Sequence, residues 1–177
     1  MTYTAFLIRG LSGSGKSHLA RRMSTGYGPV DVCSADTYFL KRCRKTGRPL
    51  AYEFDASKLA EAHAQCLEMF KASFRENCVA VANTFSCRWE MQPYIDHVAD
   101  FGGNVVVIDL YDAGLTDCEL AERNTHDVPR ATISAMRARY EHDWQNGDPL
   151  PPWERAKVGG GVMTGKKANY RGDFFGR

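Results

Sequence analysis

Residues 10–17 read Gly-Leu-Ser-Gly-Ser-Gly-Lys-Ser, in the spacing G-x-x-x-x-G-K-[ST]. Glycines let the backbone curl tightly, so that successive N–H groups point into one concavity that holds an anion. Lys16 would reach the β- and γ-phosphates of a nucleoside triphosphate, and the Ser17 hydroxyl would help hold Mg²⁺. Gly10, Ser12, Gly13, Ser14, Gly15 and His18 complete the stretch expected around ATP. The pattern carries this meaning between a strand and a helix. Residues 4–8 supply an apolar strand before it, and residues 18–23 suit a helix after it.

Asp36 lies just past a second short strand stretch, residues 30–34. In open α/β sheets, ligands bind at the carboxyl ends of strands. A carboxylate there can accept the proton of an attacking hydroxyl, as phosphoryl transfer to an alcohol requires. The same position suits a helix N-cap. Position alone does not separate the two. Residues 41–49 then bring five cations and no acid. Through Arg42 and Arg44 they could hold the phosphates of a substrate strand; the alternative is a solvated face. Tyr52 and Phe54 could pack beneath that segment or stack on a base. Asn83 and Thr84 follow a third strand stretch and suit either substrate hydrogen bonds or loop capping. Arg123 and Arg130 sit near the junction of two short helices, which suits a lid bringing an arginine to the transferring phosphoryl group. A helix hairpin with surface arginines is the alternative.

Positioning these residues takes a sheet. Strands are expected at 4–8, 30–34, 78–82 and 104–109, interleaved with helices, which defines a three-layer α/β fold with a mostly parallel sheet. Asp55 or Ser57 caps a long helix to about residue 76, with Leu59, His63, Cys66, Leu67, Phe70 and Phe74 as its apolar stripe. His63 on that stripe reads as a core histidine. Pro93 suits the first turn of a helix ending near residue 101. Thr116 and Glu119 form a capping box, and a further helix opening at residues 127–129 aligns Ile133, Met136, Tyr140 and Trp144 on one face. Residues 1–145 make one domain with the lid at about 115–145. The stretch 146–177, rich in glycine, proline and cations, reads as a loosely ordered tail or a partner-binding arm.

With 177 residues and a formal charge of +2, bulk charge alone does not argue for nucleic acid. The six cysteines include no C-x-x-C pair and no zinc-ribbon spacing. No secretory segment follows Met1 and no apolar run spans a bilayer, so a cytoplasmic protein is expected.

Taken together, the stretches resemble small P-loop kinases related to phage-type polynucleotide 5′-hydroxyl kinase, with zeta-toxin-like and AAA-type relatives. The resemblance covers about residues 5–142. It rests on residues 9–17, Ser34-Ala35-Asp36-Thr37-Tyr38-Phe39, Tyr52-Glu53-Phe54-Asp55, Ala62-His63, Asn83-Thr84, Trp89-Glu90 with Pro93-Tyr94, and residues 119–124 with Val128-Pro129. It implies a P-loop fold with a helical lid, Lys16 and Ser17 on phosphates and Mg²⁺, Asp36 as general base, and Arg123 on the phosphates. This chain departs from the pattern at Ala82, where many relatives have an Asp, and at Thr37. It departs again at Phe39 and at His126-Asp127, where the polynucleotide kinase has substrate and lid arginines. The expected activity is transfer of the γ-phosphate of ATP to a hydroxyl on a nucleic acid. The alternatives are a hydroxymethylated base in phage DNA, a nucleoside or other small alcohol, and a non-catalytic ATP-binding module.

Overall fold

Every residue of β7 (Val79–Ala82) is buried, which is why its sequence is apolar without alternation. It runs parallel between β4 (Asp31–Cys33) and β1 (Thr4–Arg9), and β1 pairs on its other side with β8 (Asn104–Asp109), again parallel. The structure is a computed structural model that describes residues 2–26, 28–42 and 49–155; among these the main sheet has the order β4-β7-β1-β8. After β1 the chain moves to one side of the sheet, and after β7 it crosses to the other. The carboxyl ends of these two neighbours therefore border a crevice, where α/β sheets bind ligands.

Strand side chains alternate between faces. Ala5, Leu7, Val79 and Val81 pack against α2 (Leu59–Phe74) and α3 (Arg88–Asp100), which contribute Cys66, Phe70, Phe74, Met91, Tyr94 and Val98. On the opposite face, Phe6, Ile8, Ala80 and Ala82 meet Leu19 and Ala20 of the short α1 (Lys16–Ala20). Helices thus cover both faces, giving the expected three layers. A third cluster joins Leu11 to Leu120 of α4 (Asp117–Arg123) and to Ile133 and Met136 of α5 (Arg130–Ala138). Through it the two lid helices pack on the phosphate-loop motif itself.

Several local expectations are corrected. α1 stops at Ala20, and the chain enters a small antiparallel pair, β2 (Ser24–Thr25) with β3 (Gly28–Pro29). α3 starts at Arg88 because Cys87 and Glu90 close a capping box, so Pro93 lies inside the helix and removes one helical hydrogen bond. Trp144 leaves the lid and packs on the α2–α3 core. His63 is exposed, since Ala62 and Cys66 take the core positions on that turn of α2. The two ends of the basic segment lie in an antiparallel pair of β5 (Leu40–Arg42) and β6 (Pro49–Tyr52). Lys41 is paired there with Glu53. Arg44 and the side chain of Arg42 lie outside the described residues, as do residues 156–177.

Burial pushes the Cys33 thiol up to about 12 and the Cys87 thiol up to about 11, which keeps both protonated and unreactive near neutral pH. Among the described residues no helix is long and apolar enough to cross a membrane.

Arg9 ends β1 fully buried. Its Nε donates to the Phe85 carbonyl at 3.1 Å, and one terminal nitrogen donates to Ser86 and Glu141 carbonyls at 3.2 and 2.9 Å. The other lies 3.5 Å from Asp109, and the guanidinium sits 4.1 Å over the Tyr140 ring. One side chain thereby ties the exits of β1, β7 and β8 to the chain leaving the lid. Arg9→Met would strand two buried carbonyls and one part-buried one, and breaking such a network costs about 3–5 kcal/mol. Arg9→Lys, lacking the planar fork, should recover little of it. Urea unfolding of both variants checks this, and a loss under about 1 kcal/mol in Arg9→Met would contradict the latch role.

Candidate active site

The loop after β1 is pinned at both sides. Gly10 N–H donates to the Thr84 carbonyl at 3.0 Å, and Leu11 N–H to the Tyr111 carbonyl at 2.8 Å. Gly13 has φ +85°, and a Cβ there would stand 2.3 Å from the Leu120 carbonyl oxygen. Only glycine lets the lid helix approach this closely. Gly15, at φ +97°, opens α1 in the left-handed region. Lys16 Nζ donates to the Leu11 carbonyl at 2.8 Å, so the cation arches back over the loop. Ser17 and Gly15 are half-buried, Ser14 is buried, and His18 is exposed.

Protein surrounding Lys16 lowers its pKa to about 8 by desolvation, with the charge of Asp36 pulling the other way. A bound polyanion would favour the ammonium, which is the fit expected of a phosphate site. Lys16 is charged below about pH 8 and increasingly neutral above it. ATP affinity should therefore weaken about fivefold between pH 8 and 9, with proton uptake on binding. Calorimetry at pH 8.5 in buffers of different ionisation enthalpy measures that uptake. A dissociation constant flat from pH 7 to 9 would remove Lys16 from the site.

Asp36 sits in a 3₁₀ turn, Ala35–Phe39, and the cap of that turn is Ser34, whose Oγ accepts the Asp36 N–H at 3.3 Å. Capping is thus done two residues earlier, and the Asp36 carboxylate is left for other partners. Tyr52 donates its hydroxyl to Oδ1 at 3.4 Å, and His126 Nε2 lies 3.5 Å from Oδ2. The Tyr52 and His126 rings pack at 4.2 Å between centroids, tilted 31°. Burial and the Asp36 carboxylate push the Tyr52 phenol well above its ordinary value, so it stays a donor. His63 is reached by solvent but ringed by enough protein that desolvation lowers its pKa, with Asp36 and Arg139 acting on it in opposite senses.

Of the two readings open for Asn83, the structure shows the capping contact. The residue is 5% exposed, its Oδ1 accepts the Ala35 N–H at 2.9 Å, and its Nδ2 lies 3.5 Å from Cys66 Sγ. It serves the turn that carries Asp36 and is turned away from solvent. Thr84 is half-buried and holds Gly10 through its carbonyl. Arg123 is exposed at the end of α4, beside Glu119. Arg130 is exposed and lines a cleft with Asp112, Asp117 and Arg137. Arg137 is the lid arginine turned inward, donating to Asp117 at 2.8 Å, to the Leu115 carbonyl at 3.0 Å and to Asp112. It fastens the hairpin.

For Mg²⁺ the donor set is sparse. Ala82 ends β7 without a carboxylate, and the described residues hold no group of three or more metal-binding side chains. Ser17 together with phosphate oxygens and water suits Mg²⁺, which keeps most of its hydration.

A family model described as an AAA domain matches residues 6–142. The chain belongs to this family. The match takes in the phosphate loop, Asp36, the hairpin and the lid, and ends before the Gly/Pro-rich stretch. Human NEDD4-binding protein 2 is 32% identical over 139 residues, which make up 76% of this chain and 7% of that protein. The AAA domain described here thus spans a small part of that relative's length. Its fold is the P-loop α/β fold, and the site follows from it.

Proposed function

We propose that this chain transfers the γ-phosphate of ATP to a hydroxyl group on a nucleic acid. The observation that carries the reading is that the phosphate loop with Lys16 and the turn with Asp36 leave the carboxyl ends of β1 and β4 in one parallel sheet, near enough for the carboxylate charge to bear on Lys16. Gly10, Ser12, Gly13, Ser14, Gly15 and His18 form the phosphate cradle, and Lys16 draws charge from the β- and γ-phosphates. Ser17 would hold Mg²⁺, which neutralises phosphate charge when bound. The acceptor oxygen forms its bond to γ-phosphorus as the bond to the bridging oxygen of ADP breaks, and its proton passes to Asp36. Arg123 is assigned to the phosphates. Arg130, the second lid arginine, lines the cleft beside Asp112 and Asp117 and is assigned to the acceptor. Resemblance to phage-type polynucleotide kinase supports this scheme, and the five cations of residues 41–49, Arg42 and Arg44 among them, support a polyanionic acceptor. Thr84 borders the acceptor side.

Radiolabelled-ATP transfer to single-stranded DNA, RNA, hydroxymethylated-base DNA and nucleosides tests the acceptor class. With a nucleic acid, acceptor affinity should fall steeply between 50 and 200 mM salt, by about tenfold or more for a few phosphate contacts. Replacing Arg42 and Arg44 by Gln should flatten that dependence and leave ATP binding unchanged. A salt-insensitive acceptor KM, unmoved by the mutations, would identify a small neutral alcohol as the substrate.

A further inference from the structure

We infer that His126, carried on the lid, is a positioning residue for Asp36, so that lid closure and aiming of the base are one event. This rests on the reading of Asp36 as the base, whichever alcohol is the acceptor.

An aspartate has a broad, two-fold χ2 torsion. The Asp36 carboxylate is 45% exposed, and its own turn restrains it only through Ser34 Oγ, 3.5 Å from Oδ2. A base that swings by an ångström loses about 10²-fold in rate, because proton and carboxylate must meet in one geometry. Further restraint comes from two other segments. Tyr52 reaches Oδ1 from β6, and His126 reaches Oδ2 from the lid loop. Each contact, at 3.4–3.5 Å, is long and individually weak. Approaching from different directions, they limit rotation together.

The lid loop is shaped to deliver that imidazole. Asn124 Oδ1 accepts the His126 N–H at 2.7 Å, and Asp127 holds a left-handed φ of +52°. A non-glycine residue pays about 1 kcal/mol or more for that conformation, and it persists where its surroundings over-determine it. Val128 then packs on the cluster of Leu11, Leu120 and Ile133, and Pro129 opens α5. Between these anchors the His126 ring lies on Tyr52, with 29% of its side chain exposed. Leu11 belongs to the phosphate loop, so the segment bearing His126 packs on the nucleotide site while touching the base.

The test is a double-mutant cycle on full-length protein. His126→Ala should lower kcat about 10- to 100-fold, with the KM for ATP within about twofold. His126→Gln, which keeps an N–H donor at similar reach, should recover part of the loss. In an Asp36→Asn background the same His126→Ala change should cost under about threefold, because a residue acting through another adds nothing once that one is gone. Equal losses in both backgrounds would overturn the inference. So would a rise in kcat, which would make His126 a plug in the acceptor site. The cycle is run with 5′-hydroxyl DNA and also on slow ATP hydrolysis without acceptor. Coupling in hydrolysis, with no transfer to DNA, RNA or hydroxymethylated-base DNA, would keep this inference and reject the nucleic-acid acceptor.

Discussion

Lys16→Ala is expected to abolish phosphoryl transfer and leave the fold standing. The transition state spreads negative charge over the phosphoryl oxygens, and catalysis of this kind is mostly positioning and electrostatics. Removing one well-aimed donor from such a site costs about 10²–10³-fold, and a full positive charge should cost at least that. Among the described residues, the two buried or inward-turned arginines nearby are committed elsewhere, Arg9 to carbonyls of two segments and Arg137 to Asp112 and Asp117, and Arg123 is exposed at the end of α4. The fold loses little, because the Leu11 carbonyl that Lys16 holds also accepts the Ser14 N–H at 3.1 Å. Desolvation already disfavours the buried ammonium, so the thermal midpoint should hold or rise slightly. Turnover near wild type in this variant would end the P-loop kinase reading. Loss of turnover with a collapsed thermal midpoint would show that Lys16 serves the fold.

The phosphate loop and the four parallel strands were legible because their signals are local. A motif of eight residues and runs such as Val79-Ala80-Val81-Ala82 carry their meaning without the rest of the chain. Arg9 was not. A cation ending an apolar strand reads as the strand's polar edge, while its partners lie 76, 77 and 132 residues away. His63 misled for a geometric reason: Ala62, Cys66, Phe70 and Phe74 form the buried row of α2, and Leu59 and Leu67 only border it. A residue one position off the row, about 100° round the helix, faces outward. Asn83 was placed at the correct edge with substrate and loop capping both open, since a single sequence does not say whether an amide faces a ligand or a neighbouring turn. His126 showed only as a departure from a family pattern. Its contact with Asp36 depends on how the lid folds back, which no periodicity encodes.

Asp36→Asn isolates the chemistry, because it preserves shape and removes basicity. Since Ser34 caps the turn, the carboxylate owes nothing to capping, and the thermal midpoint should change little. A hydroxyl is a poor nucleophile at neutral pH, and a general base within hydrogen-bond reach is worth about 10²–10⁴-fold. The expected result is a kcat loss in that range, with the KM for ATP nearly unchanged. The amide can present its oxygen to His126 and its NH₂ to the Tyr52 hydroxyl, which turns to accept, so a loss of that size would report basicity and not a rearranged site. Removing the negative charge also acts on Lys16. Asp36 raises the lysine's pKa, so the asparagine variant should hold Lys16 less charged and bind ATP slightly more weakly above about pH 8. Single-turnover transfer at pH 7 and pH 9 separates the two effects: loss of the base lowers the rate at both, and the lysine effect grows with pH. A rate within about threefold of wild type at pH 7 would retire Asp36 as the base.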